Sequence, residues 1–148
     1  MLRAAMALSA LLLCTAATKA PPSKSFWALA TDIETLAVNG VPLDKPSVTQ
    51  KDTMLCVASF TPADLRRLAI GDPRKECAID RFKAGGGRIA FTARCPANAH
   101  RDALTADVSG SYDDEKLRIV SAMHVTSDGS DIVMRMTVRG NRMAACLY

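Results

Sequence analysis

Cys77 and Cys95 bracket the stretch CAIDRFKAGGGRIAFTARC, which turns on three glycines and invites four chemistries: a metal clasp, a redox pair, a phosphate cradle or a stapled hairpin. A zinc or iron–sulfur site needs clustered thiolates or imidazoles, and the chain contains neither C-x-x-C nor H-x-x-x-H. A thioredoxin-like pair would place two close cysteines ahead of a helix, whereas these sit in strand-like sequence. The KAGGGRI segment lacks the lysine-serine of a phosphate loop and opens no helix. A hairpin remains. With Gly85–Gly87 as a three-residue loop, Cys77 falls across from Cys95, Ile79 from Ala93, Arg81 from Phe91 and Lys83 from Ile89. The cysteine-bearing face then carries Ile79, Ile89, Phe91 and Ala93, with Arg81 and Lys83 near the turn; Asp80, Thr92, Arg94 and also Phe82 take the other face. The expected bridges are Cys77–Cys95 and Cys56–Cys146.

The remaining reactive residues form no catalytic set. There are two histidines and no G-x-S-x-G. His100 lies in a polar turn beside Arg101 and Asp102, the setting of a solvated loop histidine rather than a general base. The carboxylates of YDDEK (112–116) lack calcium-loop spacing and fit a solvated hairpin turn. No enzyme activity, metal or cofactor is expected.

The methionines gather on one face. If Asp128-Gly129 is a two-residue hairpin turn, Met123 faces Met134, Ser121 faces Met136 and Val125 faces Ile132. His124, Val133, Arg135, Thr137 and Arg139 occupy the opposite face. Beside ordinary core filling stand two sharper readings: thioether ligation of Cu(I), and an adaptable apolar pocket. The copper reading suffers from His124 facing away. Trp27, the sole tryptophan, is a core or barrel-end plug or a stacking surface for a ligand. Trp27, Met123, Met134 and Met136 are therefore the candidate lining of an apolar pocket.

The elements that must position these residues are mostly strands. FWALATDIETLAV (26–38) precedes the turn signal NGVP, and SVTQKDTMLCVA (47–58) follows. In TPADLRRLAIGDP the period changes: Thr61 can cap, Pro62 starts a helix, Leu65, Leu68 and Ala69 share a face, and Gly71 and Pro73 end it. From residue 76 onward, strand-like segments alternate with the short connections GGG, PANAHRDA, DDEK and SDGS. The expected fold is all-β, an antiparallel meander of about seven strands in a curved sheet or half-open barrel, with one short α-helix at about 61–70.

Composition bounds the setting. Arg3 and the apolar run AAMALSALLLCTAA read as a secretory signal peptide over residues 1–17, with cleavage extending at most to residue 20. Leu13 stands where a lipobox before Cys14 would need a small residue, so lipidation is not expected. A polar linker over 18–25 and a single β-rich domain over 26–148 follow. Without Arg3 and Lys19 the 19 basic residues become 17 against 15 acidic ones, scattered along the chain, which leaves no nucleic-acid footprint. No second long apolar run is present, so no transmembrane segment is expected in the mature chain. Removing Cys14 leaves four cysteines, an even number suited to an oxidising compartment.

An early Trp27, Cys56 ahead of Thr61, Pro62 and Asp64, the Cys77–Cys95 pair around a glycine turn, and the tail Arg142-Met143-Ala144-Ala145-Cys146 occur in that order. In this arrangement the chain resembles the bacterial family catalogued as domain of unknown function 3617, over about residues 26–147. It departs from the family pattern at Ala144, where the tail has glycine, and in Cys56 standing five positions before Thr61 rather than almost adjacent to it. The resemblance implies a periplasmic, disulfide-bonded, mainly β domain and no established catalytic residues. The functional expectation is a non-enzymatic periplasmic domain binding a small apolar or lipid-like ligand; the alternative is a structural or protein-interaction module of the cell envelope.

Overall fold

The computed structural model describes residues 24–71, 77–98 and 102–146. The expected signal peptide, most of the linker and His100 lie outside the described residues. Seven strands form one antiparallel sheet: β1 (Ser25–Val38), β2 (Val41–Val57), β3 (Ala78–Gly85), β4 (Arg88–Cys95), β5 (Ala103–Tyr112), β6 (Lys116–Ser127) and β7 (Ser130–Ala145). Their spatial order is β2-β1-β7-β6-β5-β4-β3, so the first and last strands pair and the sheet stays open between β2 and β3. The mainly β, antiparallel architecture with one short helix is the one the sequence pattern implies.

The tight turns have simple causes. Asn39-Gly40, Gly86-Gly87 and Asp128-Gly129 all hold positive φ at both central positions, as two-residue hairpins of type I′ require. Asp113 makes the β5–β6 turn by accepting the Glu115 and Lys116 backbone N–H groups on one carboxylate oxygen at 2.8 and 2.7 Å.

Because β2 and β3 occupy opposite edges, the connection between them must cross one face of the sheet. Helix α1 (Pro62–Ile70) lies in that crossing. Thr61 and Asp64 form a reciprocal capping box: the Asp64 N–H donates to Thr61 Oγ1 at 3.1 Å, and the Thr61 N–H donates to Asp64 Oδ2 at 3.0 Å. Leu65 and Ala69 are buried on the inner face with Trp27, Leu29, Ile89, Phe91, Ile119 and Val138. Ser121, the fully buried polar residue of β6, donates its hydroxyl to the Ala69 carbonyl at 2.7 Å. One helix-end acceptor is thereby satisfied inside the core.

Two local expectations are corrected. The β3–β4 hairpin closes on a two-residue turn, Gly86-Gly87, with Gly85 paired to Arg88. The expected cross-strand register holds from Ala78 to Asp80 and then shifts by one residue before Lys83. Arg81, at φ 54°, absorbs the extra residue as a β-bulge. Arg81 and Lys83 thus face outward, while Phe82 and Ala84 turn into the core; Phe82 packs 5.6 Å from Phe91, centroid to centroid. The physical reason is burial: a continuous register would have left an aromatic ring in water and two cations over the apolar face.

The second correction concerns β2, which begins at Val41 rather than at Ser47 and runs through Pro42 and Pro46. As an edge strand it pairs only with β1, so a proline without an N–H donor is tolerated on its free side.

Candidate functional site

The inner face ends in an open cleft of about 420 Å³, lined by side chains from both halves of the sheet. Trp27 is set there by the pleat: Ser25, Trp27 and Leu29 alternate inward along β1 and are all buried. Phe60, in the segment after β2, meets the Trp27 ring edge-on, with centroids 4.7 Å apart and planes at 67°. Tyr112 ends β5 on the same side. Its N–H donates to the Gly87 carbonyl at 2.9 Å, which brings the β3–β4 turn onto the cleft. A side chain at Gly87 would put its Cβ 2.8 Å from the Tyr112 carbonyl oxygen, so the approach depends on glycine.

Polar groups occupy the rim. Arg142 of β7 donates from Nε to Ser25 Oγ at 2.8 Å, and its backbone N–H donates to the Glu115 carbonyl at 2.8 Å. Asp113 and Asp114 complete the rim. The two backbone hydrogen bonds to Asp113 hold its carboxyl below the usual value, keeping it anionic. The arrangement offers an aromatic floor, one guanidinium in fixed orientation and an acidic turn. It suits an amphipathic molecule whose apolar body packs on the half-buried Phe60 and Tyr112 over the buried Trp27 and whose polar end meets the rim.

The disulfides brace the described sheet. Cys56–Cys146 joins the ends of β2 and β7, the two neighbours of β1, and the Cys146 N–H donates to the Lys24 carbonyl at 3.0 Å. Cys77–Cys95 closes the far end of the β3–β4 hairpin, with Cα atoms 4.1 Å apart.

Trp27 and the three methionines do not share a cavity. Met123 pairs with Met134, and Met136 pairs with Ser121 and Ile33. Met123 and Met136 are buried and Met134 packs half-buried against them as core. Trp27 pairs with Arg142, whereas Ile33, six residues along β1, pairs with Met136. At the rise of a strand, about 20 Å separates the two positions. His124 is exposed on the opposite face from Met123, between Thr105 and Val133. Among the described residues, no group of three or more His, Cys, Asp or Glu side chains is placed to hold a metal.

Phe60, Tyr112 and Arg142 are the cleft residues that pattern reading passes over. Phe60 stands outside both the strand and the helix period. Arg142 reaches the cleft as the β7 neighbour of Trp27, and Tyr112 from the end of β5.

The family model described as "Protein of unknown function (DUF3617)" matches residues 22–146. Comparison with curated proteins and with solved structures yields no match.

Proposed function

The chain belongs to the DUF3617 family, and from that premise we propose that it is a non-enzymatic binding domain of the periplasm that takes a small apolar or lipid-like ligand in the cleft above Trp27. One observation carries this: the open aromatic cleft in which Trp27 and Phe60 meet edge-on beneath a guanidinium that Ser25 orients. Two disulfides support residence in an oxidising compartment. No helix among the described residues is long and apolar enough to cross a membrane.

Trp27 is the sole tryptophan, so its emission reports on the cleft alone. Titration with a short-chain brominated fatty acid, whose bromines quench indole on contact, should give a saturable loss of emission. Phe60→Ala should weaken it, because the opposing ring is removed. Unsaturable quenching, equal to that of free N-acetyltryptophanamide, would contradict ligand binding in the cleft.

A second reading, an interaction module of the envelope, has its own observation. The free edge of β2 exposes Val41, Val48 and Met54. Its test is crosslinking from Val48 in intact envelopes, which should yield one discrete adduct if β2 is an interface and none otherwise.

A further inference from the structure

The outer face of the sheet divides into two charge regimes. Toward the methionine end, the arginines have partners. Arg135 pairs with Glu34 at 3.6 Å and Arg94 with Asp80 at 3.1 Å, while Arg81 donates to Thr92, whose hydroxyl donates to Asp107. Toward the cleft end, the pattern reverses. Arg88, Ser111, Arg118 and Arg139 occupy successive strands in one cross-strand row, β4 to β7.

Arg118 is directly opposite Arg139. Like charges in this position repel, and residues so paired stand only about 5 Å apart. Arg139 is partly neutralised by its ion pair with Asp32. The Arg118 guanidinium has no hydrogen-bond or ion-pair partner among the described residues, and neither has that of Arg88. Two residues along β6 and on the same face, Lys116 adds a third cation opposite Asn141.

Lys116, Arg118, Arg139 and Asn141 line a depression of about 660 Å³ together with Ser111, Tyr112 and Asp113. Three cations, Lys116, Arg118 and Arg139, therefore meet two carboxylates: Asp32, paired with Arg139, and Asp113, which already spends an oxygen on the Glu115 and Lys116 N–H groups. A guanidinium fork, a neighbouring ammonium, a hydroxyl and an amide suit a tetrahedral oxyanion, which would also relieve the repulsion between Arg118 and Arg139.

We propose that this outer-face depression binds a phosphate group, with Arg118 as its principal ligand and Arg139, Lys116 and Ser111 around it. The phosphate can arrive on a soluble compound or on an anionic lipid headgroup, and the two sources separate by experiment. Full-length mature protein at low ionic strength is titrated with inorganic phosphate by calorimetry. It is also sedimented with vesicles of phosphatidylglycerol and phosphatidylcholine, and with vesicles of phosphatidylcholine alone. Saturable binding of inorganic phosphate is expected, weakened roughly tenfold by Arg118→Ala through loss of a charge-assisted pair. Arg118→Gln should weaken it comparably. Arg94→Ala, which removes a paired cation elsewhere on the same face, should leave it unchanged.

Phosphate binding without vesicle binding assigns the site to a soluble phosphate compound. Co-sedimentation with the anionic vesicles alone, lost in Arg118→Glu, assigns it to a headgroup. Absence of both kinds of binding overturns the proposal. So does an equal loss in Arg94→Ala and Arg118→Ala, which would mean diffuse charge attraction rather than a site.

Discussion

A Cβ added at Gly110 would lie 2.5 Å from the Arg118 carbonyl oxygen and 3.0 Å from the Ile119 Cα, both fixed backbone atoms. At Gly140 the nearest atom is Leu29 Cδ2 at 2.8 Å, the end of a side chain that can rotate. Gly110→Ala should therefore destabilise by about 1–3 kcal/mol, as overpacking does, and Gly140→Ala by less. Urea unfolding of the two variants measures the order, and a larger loss in Gly140→Ala would contradict it. A second residue-scale prediction concerns pH. The Thr61 hydroxyl, against a smaller opposing effect of burial, lowers the Asp64 carboxyl below the usual 3.8, aided by the Thr61 N–H and Arg67. A depressed carboxyl stabilises the fold above its unfolded value, and that contribution is lost as pH falls through the folded value. Wild type should exceed Asp64→Ala in stability at neutral pH, and the gap should close below about pH 3.8, the ordinary carboxyl value. A gap unchanged in acid would remove the carboxylate from the cap. Thr61→Ala should cost about 1 kcal/mol at neutral pH. The cap was legible in TPAD because its chemistry is local; the steric role of Gly110 was not, since it depends on a neighbouring strand.

At the scale of elements, β6 and β7 show what periodicity can deliver. The Asp128-Gly129 turn fixes the register, and Met123 meets Met134 while Ser121 meets Met136, the pairing the turn alone dictates. The β3–β4 hairpin shows where it stops. A bulge adds a residue without any period of its own, and the one visible trace of it was Phe82 sitting with Asp80 and Arg94 on a polar face. The inward turn of Phe82 has a measurable consequence. Phe82 packs on Phe91, and the Arg66 guanidinium stands 5.2 Å over its ring. Phe82→Ala should destabilise by about 2 kcal/mol or more, while Arg81→Ala should cost far less. The reverse order in chemical denaturation would restore the unbroken register. The first residues of β2 escape the sequence pattern for a related reason: Pro42 and Pro46 argue against a strand unless its edge position is known.

For the whole molecule, the open sheet is tied at opposite ends by two bridges with different leverage. Cys56–Cys146 closes a separation of 90 residues and Cys77–Cys95 one of 18. In the chain-entropy account, removing them should cost about 4.5 and about 3 kcal/mol respectively. Paired serine variants compared by thermal unfolding test the order; a greater loss from Cys77→Ser with Cys95→Ser would contradict it. The cleft is also a whole-molecule feature. Trp27, Phe60, Gly87, Tyr112 and Arg142 come from five separate places in the chain: Trp27 and Arg142 meet as cross-strand neighbours, and the other three join them at the cleft through the tertiary fold. Strand periodicity assigns each residue a face but not its neighbours across the sheet, so Trp27, Gly87 and Arg142 were visible singly in the sequence while their meeting was not. The methionines share the inner face with Trp27, yet the length of β1 keeps them apart.

The most direct test of the cleft as a ligand site is native mass spectrometry, without reductant, of protein exported to a bacterial periplasm and purified gently. A carrier of a small apolar molecule predicts an added organic mass that leaves on collisional activation, over a polypeptide carrying two disulfides, and that is lost in Phe60→Ala. A bare polypeptide with the same two bridges, unchanged by Phe60→Ala, would contradict it.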